Sequence, residues 1–427
     1  MKRAFAAFIL LLTVLFAGCG QKDGENITVE AEAAGEKEKL VLAAYMLYDP
    51  TLQDMVSAFN AQNEQYNIVI RDISQGDAYS AEEALLKLNT EIVGGNAPDM
   101  ISFQHLNPWP YIAKDYLVDL SLHFDRLGID AQQIVAAKAL ESRDGGIYYL
   151  SNSFVFETIV GKHSKFGDRY GWTLQEYLEL DAARAEGAHT IYNITAENFL
   201  MEVSSRYIPT AVDWENGTCD FNNDTFRQIL EASGSIRESS EAENPIFSAG
   251  GSPLAEDKLV SSLAWVTNVD GLYQEEYRAG CRLSFFGWPT VDGSCGTDLH
   301  LIYPVGVFAD GENTEACLAF IKFMLCDYSP EPQENIPEYG MPLYMPRLLE
   351  KLEQAKTRPA EQQPISSEYA ERFLELLSEI ENVAIYDSAI VGIINKEAEA
   401  CFSGDKSADE VLELIQSKAA IYVSEQS

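Results

Sequence analysis

Aromatic and polar side chains cluster just after two apolar runs near the start of the chain, "LVLAAY" and "MISF". Aromatic rings stack on the flat apolar faces of small molecules, and carboxylate and amide groups bind their hydroxyls. This combination predicts reversible small-molecule binding. The candidates at these two places are Tyr45, Tyr48, Asp49, Gln104, Trp109 and Tyr111. In "FQHLNPWPY" two prolines stiffen the loop and present Trp109, which is alternatively a packed loop aromatic.

A second candidate region is "WVTNVDGLYQEEY", where Asn268, Asp270 and Tyr273 follow an apolar, strand-like run. The alternative is a turn into a helix, in which Asn and Asp serve the turn itself. Tyr339 in "EYGMP" is a weaker candidate for ligand contact.

The motifs of common catalytic and metal sites do not occur in the sequence. It contains no HExxH, GxSxG, GxxxxGK[ST] or GxGxxG, and its five histidines are scattered. The spacing of Asp220, Asn222 and Asp224 nearly matches that of a calcium-binding loop, but Thr225 occupies the position where such a loop requires glycine. His105 could donate to a ligand, although a surface or packed histidine is the favoured interpretation. We therefore assign no catalytic residue, metal or cofactor.

The elements that must position these candidates alternate in type along the first part of the chain. The apolar runs beginning at Leu40, "IVIRDI" and "MISF" are typical of buried parallel strands. Between them, Leu52, Met55, Val56 and Phe59 recur at helical spacing, as do Leu85, Leu88 and Ile92. Strands alternating with helices predict an α/β fold with a parallel sheet, whose strand ends carry ligands in adjacent loops.

Local signals continue through the rest of the chain. Thr173 with Glu176, and Ser407 with Glu410, form capping boxes that predict helix starts. "TAENFLMEV" predicts a helix behind Thr195, and Asn216-Gly217 predicts a hairpin turn.

The N-terminus reads as an export signal. Lys2 and Arg3 precede the apolar segment 4–17, which is short for a membrane span. "LFAGC" resembles a bacterial lipobox, which implies a signal peptide over 1–18 and a lipid on Cys19. The alternative is an ordinary secretory signal with a chance cysteine. Residues 19–38, poor in large apolar side chains, predict a flexible tether.

Charge and cysteine content narrow the class of protein further. The formal net charge of −37 argues against nucleic acid and anionic lipid surfaces as partners. Six cysteines remain besides Cys19, and Cys281 with Cys295 is the nearest plausible disulfide. The absence of CxxC and the apolar setting of Cys317 and Cys326 favour mostly free, buried thiols.

Several segments, in order, resemble the extracellular solute-binding proteins of ABC importers, in the family 1-like group of sugar-binding lipoproteins. The segments are "LNTEIVGGNAPDMISF", "FGDRYGWTLQEYLEL", "FGWPTVDG" and the C-terminal "INKEAEACFSGDKSADEVLELIQSKAAIYVSEQ". The resemblance implies a two-lobed, periplasmic-binding-protein-like α/β fold with a ligand cleft between the lobes. It implies an N-lobe of 39–150 with about 297–343, and a C-lobe of 151–296 with about 344–427.

The resemblance also implies a function. The expected protein is a monomeric, non-enzymatic receptor, lipid-anchored on the extracytoplasmic face of the cell membrane, that delivers a carbohydrate to an ABC permease. It places Trp288 as a cleft aromatic, with Phe154 and Glu157 as further candidates near the first crossing between lobes. A glycoside hydrolase, which needs two carboxylates across a cleft, and a sensor or adhesin on the same fold are the alternatives.

Overall fold

A computed structural model describes residues 37–45, 50–74, 81–186, 188–192, 194–236, 252–330, 339–385 and 387–426. Its strands are β1 Glu38–Ala44, β2 Tyr66–Asp72, β3 Met100–Ser102, β4 Tyr149–Leu150, β5 Ser153–Lys162, β6 Val212–Asp213, β7 Thr218–Cys219, β8 Ser261–Val266, β9 Leu283–Phe285, β10 Asp298–Ile302, β11 Val305–Val307, β12 Met341–Pro342 and β13 Asn382–Val383.

The helices of the described residues run in the same chain order. They are α1 Thr51–Gln62, α2 Ala81–Val93, α3 Trp109–Ala113, α4 Phe124–Leu127, α5 Ala137–Leu140, α6 His163–Phe166, α7 Leu174–Ala183, α8 Ala196–Ala211, α9 Asp224–Gly234, α10 Gly271–Ala279, α11 Thr314–Lys322, α12 Met345–Thr357, α13 Ser367–Glu379, α14 Ser388–Phe402 and α15 Ala408–Gln426. A π-helical turn, Phe323–Asp327, follows α11.

The first lobe is built on a sheet with strand order β2-β1-β3-β11-β4. β1 pairs in parallel with β2 and β3, as the alternating apolar runs predict, and β11 joins antiparallel. The predicted helix face of Leu52, Met55, Val56 and Phe59 is buried. Burying such side chains contributes about 1.5–3 kcal/mol each, which fixes α1 against the sheet.

The second lobe is built on a sheet with β5 at its centre. β12, β5, β10 and β13 follow one another, and β8 and β9 also pair with β5. One face packs on α12 and α13, for example where Phe156 meets Phe373 at 5.9 Å between ring centroids. A second buried cluster joins the opposite face to α7, α8, α9, α14 and α15. The predicted α/β architecture with two lobes is confirmed.

The chain crosses between the lobes at Leu150–Ser153 and returns at Ile302–Val305. β10 lies within the segment 297–343 that the sequence assigns to the N-lobe, yet it pairs with β5 of the second sheet. β12 does the same. The strand pairing therefore puts the return crossing at Tyr303 and Pro304, several residues later than the predicted boundary.

The local signals are found where they were predicted. Thr173 and Glu176 form the capping box of α7, Thr195 caps α8, and Ser407 and Glu410 bond reciprocally before α15. Gly217, with φ +63°, turns the β6–β7 hairpin. The six cysteines of the described residues are unpaired; Cys295 and Cys317 are buried, whereas Cys281 is exposed. No helix within the described ranges has the length and apolar character needed to cross a membrane.

Candidate functional site

Two cavities lie between the lobes, one on each side of the loop that follows β3. The first, here called the crossing cavity, has a volume of about 380 Å³ and is lined by Gln104, Tyr149, Trp265, His300, Tyr303 and Tyr339. The second, here called the tryptophan cavity, has a volume of about 360 Å³ and is lined by Trp109, Arg143, Tyr148, Trp214, Glu215 and Ile385. Both volumes fall in the range of small-molecule sites.

Aromatic side chains form the second-lobe wall of the crossing cavity. Trp265 on β8 and His300 on β10 flank β5, and their ring centroids are 4.6 Å apart. Trp265 is 47% exposed, and its indole nitrogen donates a hydrogen bond to the Tyr339 hydroxyl at 3.3 Å. Tyr339 is itself 61% exposed. Aromatic surface of this size left open in a cavity is a stacking platform for a ligand.

His300 supplies a polar atom beneath this platform. Its Nε2 is buried and has no hydrogen-bond partner among the described residues. Burial lowers the imidazole pKa to about 4, and the positive charge of Arg206 acts in the same direction. The ring is therefore neutral near pH 7, with one nitrogen donating and the other accepting.

The first-lobe wall comes from the carboxyl end of β3, where α/β folds hold ligands. The Gln104 side-chain oxygen accepts a hydrogen bond from the Tyr303 backbone nitrogen at 2.7 Å. This bond ties the loop to the return crossing and orients the amide. His105, with φ +63°, is exposed beside it. The cavity thus combines one wall from each lobe with the crossing itself.

A buried ionic network lies on the same face of the second sheet. Arg206 of α8 pairs with Asp298 at 2.7 Å and with Glu202 at 3.2 Å. The Trp288 indole nitrogen donates to Glu157 at 2.6 Å, and the Arg206 guanidinium lies 5.5 Å from the Trp288 ring. Burial raises the Asp298 pKa to about 6 against the opposing effect of Arg206, and burial raises the pKa of Glu157.

The tryptophan cavity lies where α3 meets the helices of the second lobe. Asn107 accepts a hydrogen bond from the Trp109 backbone nitrogen at 3.0 Å and donates to Asp387 at 2.8 Å. Asp387 also caps α14 by accepting from Ile390. The Arg143 guanidinium donates to the Val212 carbonyl at 2.6 Å. These bonds hold the two lobes together around the cavity.

The other predicted residues lie apart from these two cavities. Tyr111 is buried, and its hydroxyl donates to Asn89 at 2.9 Å. Burial raises its pKa, and it packs against Phe103 and Phe308. Trp288 is 2% exposed within the ionic network. Both side chains therefore support the structure around the cleft, and we leave them out of the site proposed below.

Asn268 and Asp270 line a separate cavity of about 320 Å³, where Asp270 pairs with Arg358 at 2.7 Å. Tyr273 packs its ring 5.3 Å from that of Tyr369. Tyr45 is half-buried against the first core. Tyr48, Asp49 and Cys19 lie outside the described residues. The structure therefore brings Gln104 and Tyr339 together, and it places Trp109 in the neighbouring cavity.

Sequence reasoning passed over four residues that line these cavities: Trp265, His300, Arg143 and Trp214. Trp265 opens the segment "WVTNVDG", where the sequence predicts an apolar, strand-like run before the candidate residues. Strand alternation was the available signal, because β8 buries Ala264 and Val266 and exposes Trp265 between them. Trp214 lies two residues before the predicted Asn216-Gly217 turn and is 7% exposed, so the turn prediction did not indicate that it lines a cavity.

Comparison with known proteins identifies the fold. No protein-family model matches the chain, and no curated protein matches it by sequence. Solved structures do match. The extracellular solute-binding protein family 1 protein of Alicyclobacillus acidocaldarius has a TM-score of 0.53 at 15% identity, over 92% of this chain and 100% of that one. The sugar-binding protein MalE of Xanthomonas citri has a TM-score of 0.57 at 13% identity, over 91% and 98%.

A third match is the galacto-N-biose-/lacto-N-biose I-binding protein of an ABC transporter from Bifidobacterium longum, solved with lacto-N-biose. Its TM-score is 0.52 at 14% identity, over 92% of this chain and 99% of that one. Structures named as de novo designed esterases match similarly well. At these identities the likeness shows the fold alone. The predicted resemblance to solute-binding proteins and the two-lobed fold are confirmed; function is argued from the cavities.

Proposed function

We propose that this chain is a solute-binding protein without catalytic activity, and that it holds a carbohydrate in the crossing cavity. One observation carries the proposal: a half-exposed indole, Trp265, faces a cavity between two lobes, next to the unpartnered nitrogen of His300 and the amide of Gln104. An indole plane suits the C–H face of a sugar ring. A neutral imidazole and an amide suit its hydroxyls.

The charge of the crossing cavity also favours a neutral ligand. Among the described residues that line it, none carries a carboxylate, a guanidinium or an ammonium group. A hydrolase of glycosidic bonds uses a pair of carboxylates flanking the bond. Glu157 and Asp298, the acidic residues on the same sheet face, are engaged by Trp288 and Arg206. These facts support binding over hydrolysis.

The arrangement of the two lobes is suited to binding a ligand by closure of one lobe onto the other. Gln104 comes from the first lobe and Trp265 from the second, so a ligand contacts both walls only when the lobes are together. Such a ligand stabilises the closed form, which is the form that a permease would recognise. The solved matches include an ABC-transporter protein with bound lacto-N-biose, which supports this role for a chain of the same fold.

The N-terminal sequence completes the proposal. A lipid on Cys19 would anchor the protein at the extracytoplasmic face of the membrane, and residues 19–38 would tether it. Tethering raises the effective concentration of a receptor near its permease. A sensor or adhesin would share the anchor and the cleft, and a permease gene beside this one would favour transport.

A thermal-unfolding screen of the purified protein tests the proposal. Mono- and oligosaccharides are compared with amino acids and peptides. A ligand at a hundredfold excess over its Kd stabilises the folded state by about 2.7 kcal/mol, which raises the Tm visibly. A shift with one sugar class is the expected result. A shift with a peptide or amino acid alone would overturn the carbohydrate assignment, and release of reducing ends from a bound oligosaccharide would overturn the assignment as a non-enzyme.

A further inference from the structure

We propose that the tryptophan cavity is a second binding site, for a small organic cation with an apolar body. It is separate from the carbohydrate site proposed above, and it rests on the lining of this cavity alone. The lining has an aromatic and aliphatic interior and a mouth rich in carboxylates.

The interior is formed by side chains of both lobes. The indole of Trp109 comes from α3 of the first lobe, and that of Trp214 comes from the β6–β7 hairpin of the second. Trp214 is held by an edge contact with Tyr422, with ring centroids 6.2 Å apart. Ile112 and Ile385 add aliphatic surface. Burying the apolar body of a ligand here gains about 25 cal/mol per Å² of apolar area.

The charge of the lining is strongly negative. It carries six carboxylates, those of Asp115, Glu141, Asp144, Asp213, Glu215 and Glu381. Arg143 is the single basic residue among the described lining residues. An excess of one sign at a cavity with low-dielectric walls concentrates ligands of the opposite sign. An indole face beside the site attracts a cation further.

Arg143, the basic residue of the lining, and the nearby Lys138 are already engaged by other groups. Arg143 donates to the carbonyls of Val212 and Pro209 and lies 3.4 Å from Asp213. Lys138, outside the lining, pairs with Glu381. Asp115, Glu141 and Glu215 are exposed, and none of the three has a basic partner within ion-pair distance in the described part of the chain. A bound cation would supply the positive charge that these carboxylates face.

The crossing cavity offers a sharp contrast, since no charged side chain of the described residues lines it. The two cavities therefore differ in the ligand charge that they favour. The carboxylates of the tryptophan cavity attract a cation more strongly than a neutral ligand, and the crossing cavity offers no such charge. This difference allows the two proposals to fail independently.

Three probes with one aromatic body test the charge requirement. Phenethylamine is cationic at pH 7, 2-phenylethanol is neutral, and 3-phenylpropionate is anionic. Their affinities for the full protein are measured by isothermal titration calorimetry. We expect the amine to bind at least tenfold more tightly than the alcohol, and the acid not to bind. Raising the salt from about 0.1 M to about 1 M, which shortens the Debye length from about 10 Å to about 3 Å, should weaken the amine alone.

Charge-neutral variants locate the site. Asp115→Asn suits position 115, where φ is +55°, because asparagine tolerates the left-handed region. Asp115→Asn and Glu215→Gln should each weaken amine binding about threefold, whereas the exposed Glu350→Gln on α12 should leave it unchanged. The melting shift given by a sugar should survive both cavity variants. Equal affinity for amine and alcohol, no binding of the amine, or full binding by the double variant would overturn the proposal.

Discussion

The rings of Trp265 and His300 lie 4.6 Å apart and inclined by 60°, on two strands that flank β5. This contact holds an indole open to the cleft while the Nε2 atom of the half-buried imidazole stays out of solvent. A side chain that is fixed on one edge and open on its face loses little conformational entropy on binding a ligand. The pair is therefore the part of the molecule on which the proposed carbohydrate site depends most directly.

Replacing Trp265 by alanine should weaken carbohydrate binding strongly with little effect on folding. A central aromatic anchor contributes about 2 kcal/mol or more to binding, so Kd should rise by at least tenfold. Because the side chain is half exposed, the loss of packing should be small. The matched control is Tyr277→Ala, which removes an aromatic that is 63% exposed on α10. Retained affinity in Trp265→Ala would place the sugar elsewhere.

His300 should make the protein less stable as the pH falls. The unfolded chain binds a proton at this histidine near pH 6.5, whereas the buried imidazole does so only near 4. Lowering the pH from 7 to 5 therefore favours the unfolded state by on the order of 1–2 kcal/mol. Urea titrations at both pH values should show a smaller loss of unfolding free energy in His300→Gln than in the parent protein.

Asp298 acts in the opposite direction over nearly the same range. Its native pKa is about 6 and its ordinary value is 3.8, so falling pH through this window favours the folded state. Asp298→Asn should therefore steepen the loss of stability between pH 7 and pH 5. Identical pH profiles for the two variants would contradict both assignments.

Arg206→Met should destabilise the second lobe strongly. The guanidinium is buried between Asp298 and Glu202, and its removal leaves buried carboxylates without a counter-charge. Breaking such a pair costs about 3–5 kcal/mol. Urea unfolding measures the loss, and Arg206→Met with Asp298→Asn should recover part of it. Arg278→Met, which breaks an exposed pair with Glu275, should cost about 1 kcal/mol or less.

Cys19→Ala should release the protein from the membrane. If Cys19 carries the lipid, the variant should move from the membrane fraction to the soluble fraction or be retained as an unprocessed precursor. Metabolic labelling with a fatty acid should mark the parent protein and not the variant. Labelling of both forms would place the lipid on another residue, and labelling of neither would favour the ordinary secretory signal.

Local and periodic signals in the sequence predicted most of the strands and helices described above. Continuous apolar runs identify β1, β2 and β3 because parallel strands are covered on both faces. Capping boxes such as Thr173 with Glu176 mark helix starts because both partners lie within one turn. The return crossing was placed too early because its position came from the family resemblance, and no local signal shows which sheet β10 joins. Its partner, β5, lies more than a hundred residues earlier.

The site was harder to predict, for a physical reason. Trp288 and Trp265 are both tryptophans beside apolar runs, and strand alternation indicates which face of β8 Trp265 occupies but not what covers that face. Trp288 is enclosed because Glu157, 131 residues away, accepts its indole hydrogen. Trp265 is exposed because its side chain lies on the face of β8 that lines the crossing cavity between the lobes. An aromatic side chain is available to a ligand only if no distant segment of the chain packs over it, and the local sequence does not show which segment does so.

Val383 and Ile385 line both cavities, so one short segment after α13 separates the two compartments. An occupant that displaces this partition from one side changes the shape of the space on the other. Thermodynamic linkage then requires reciprocity: the factor by which a cation alters sugar affinity equals the factor by which the sugar alters cation affinity. If both proposed ligands bind, this partition would let the concentration of one solute adjust the affinity of the protein for the other.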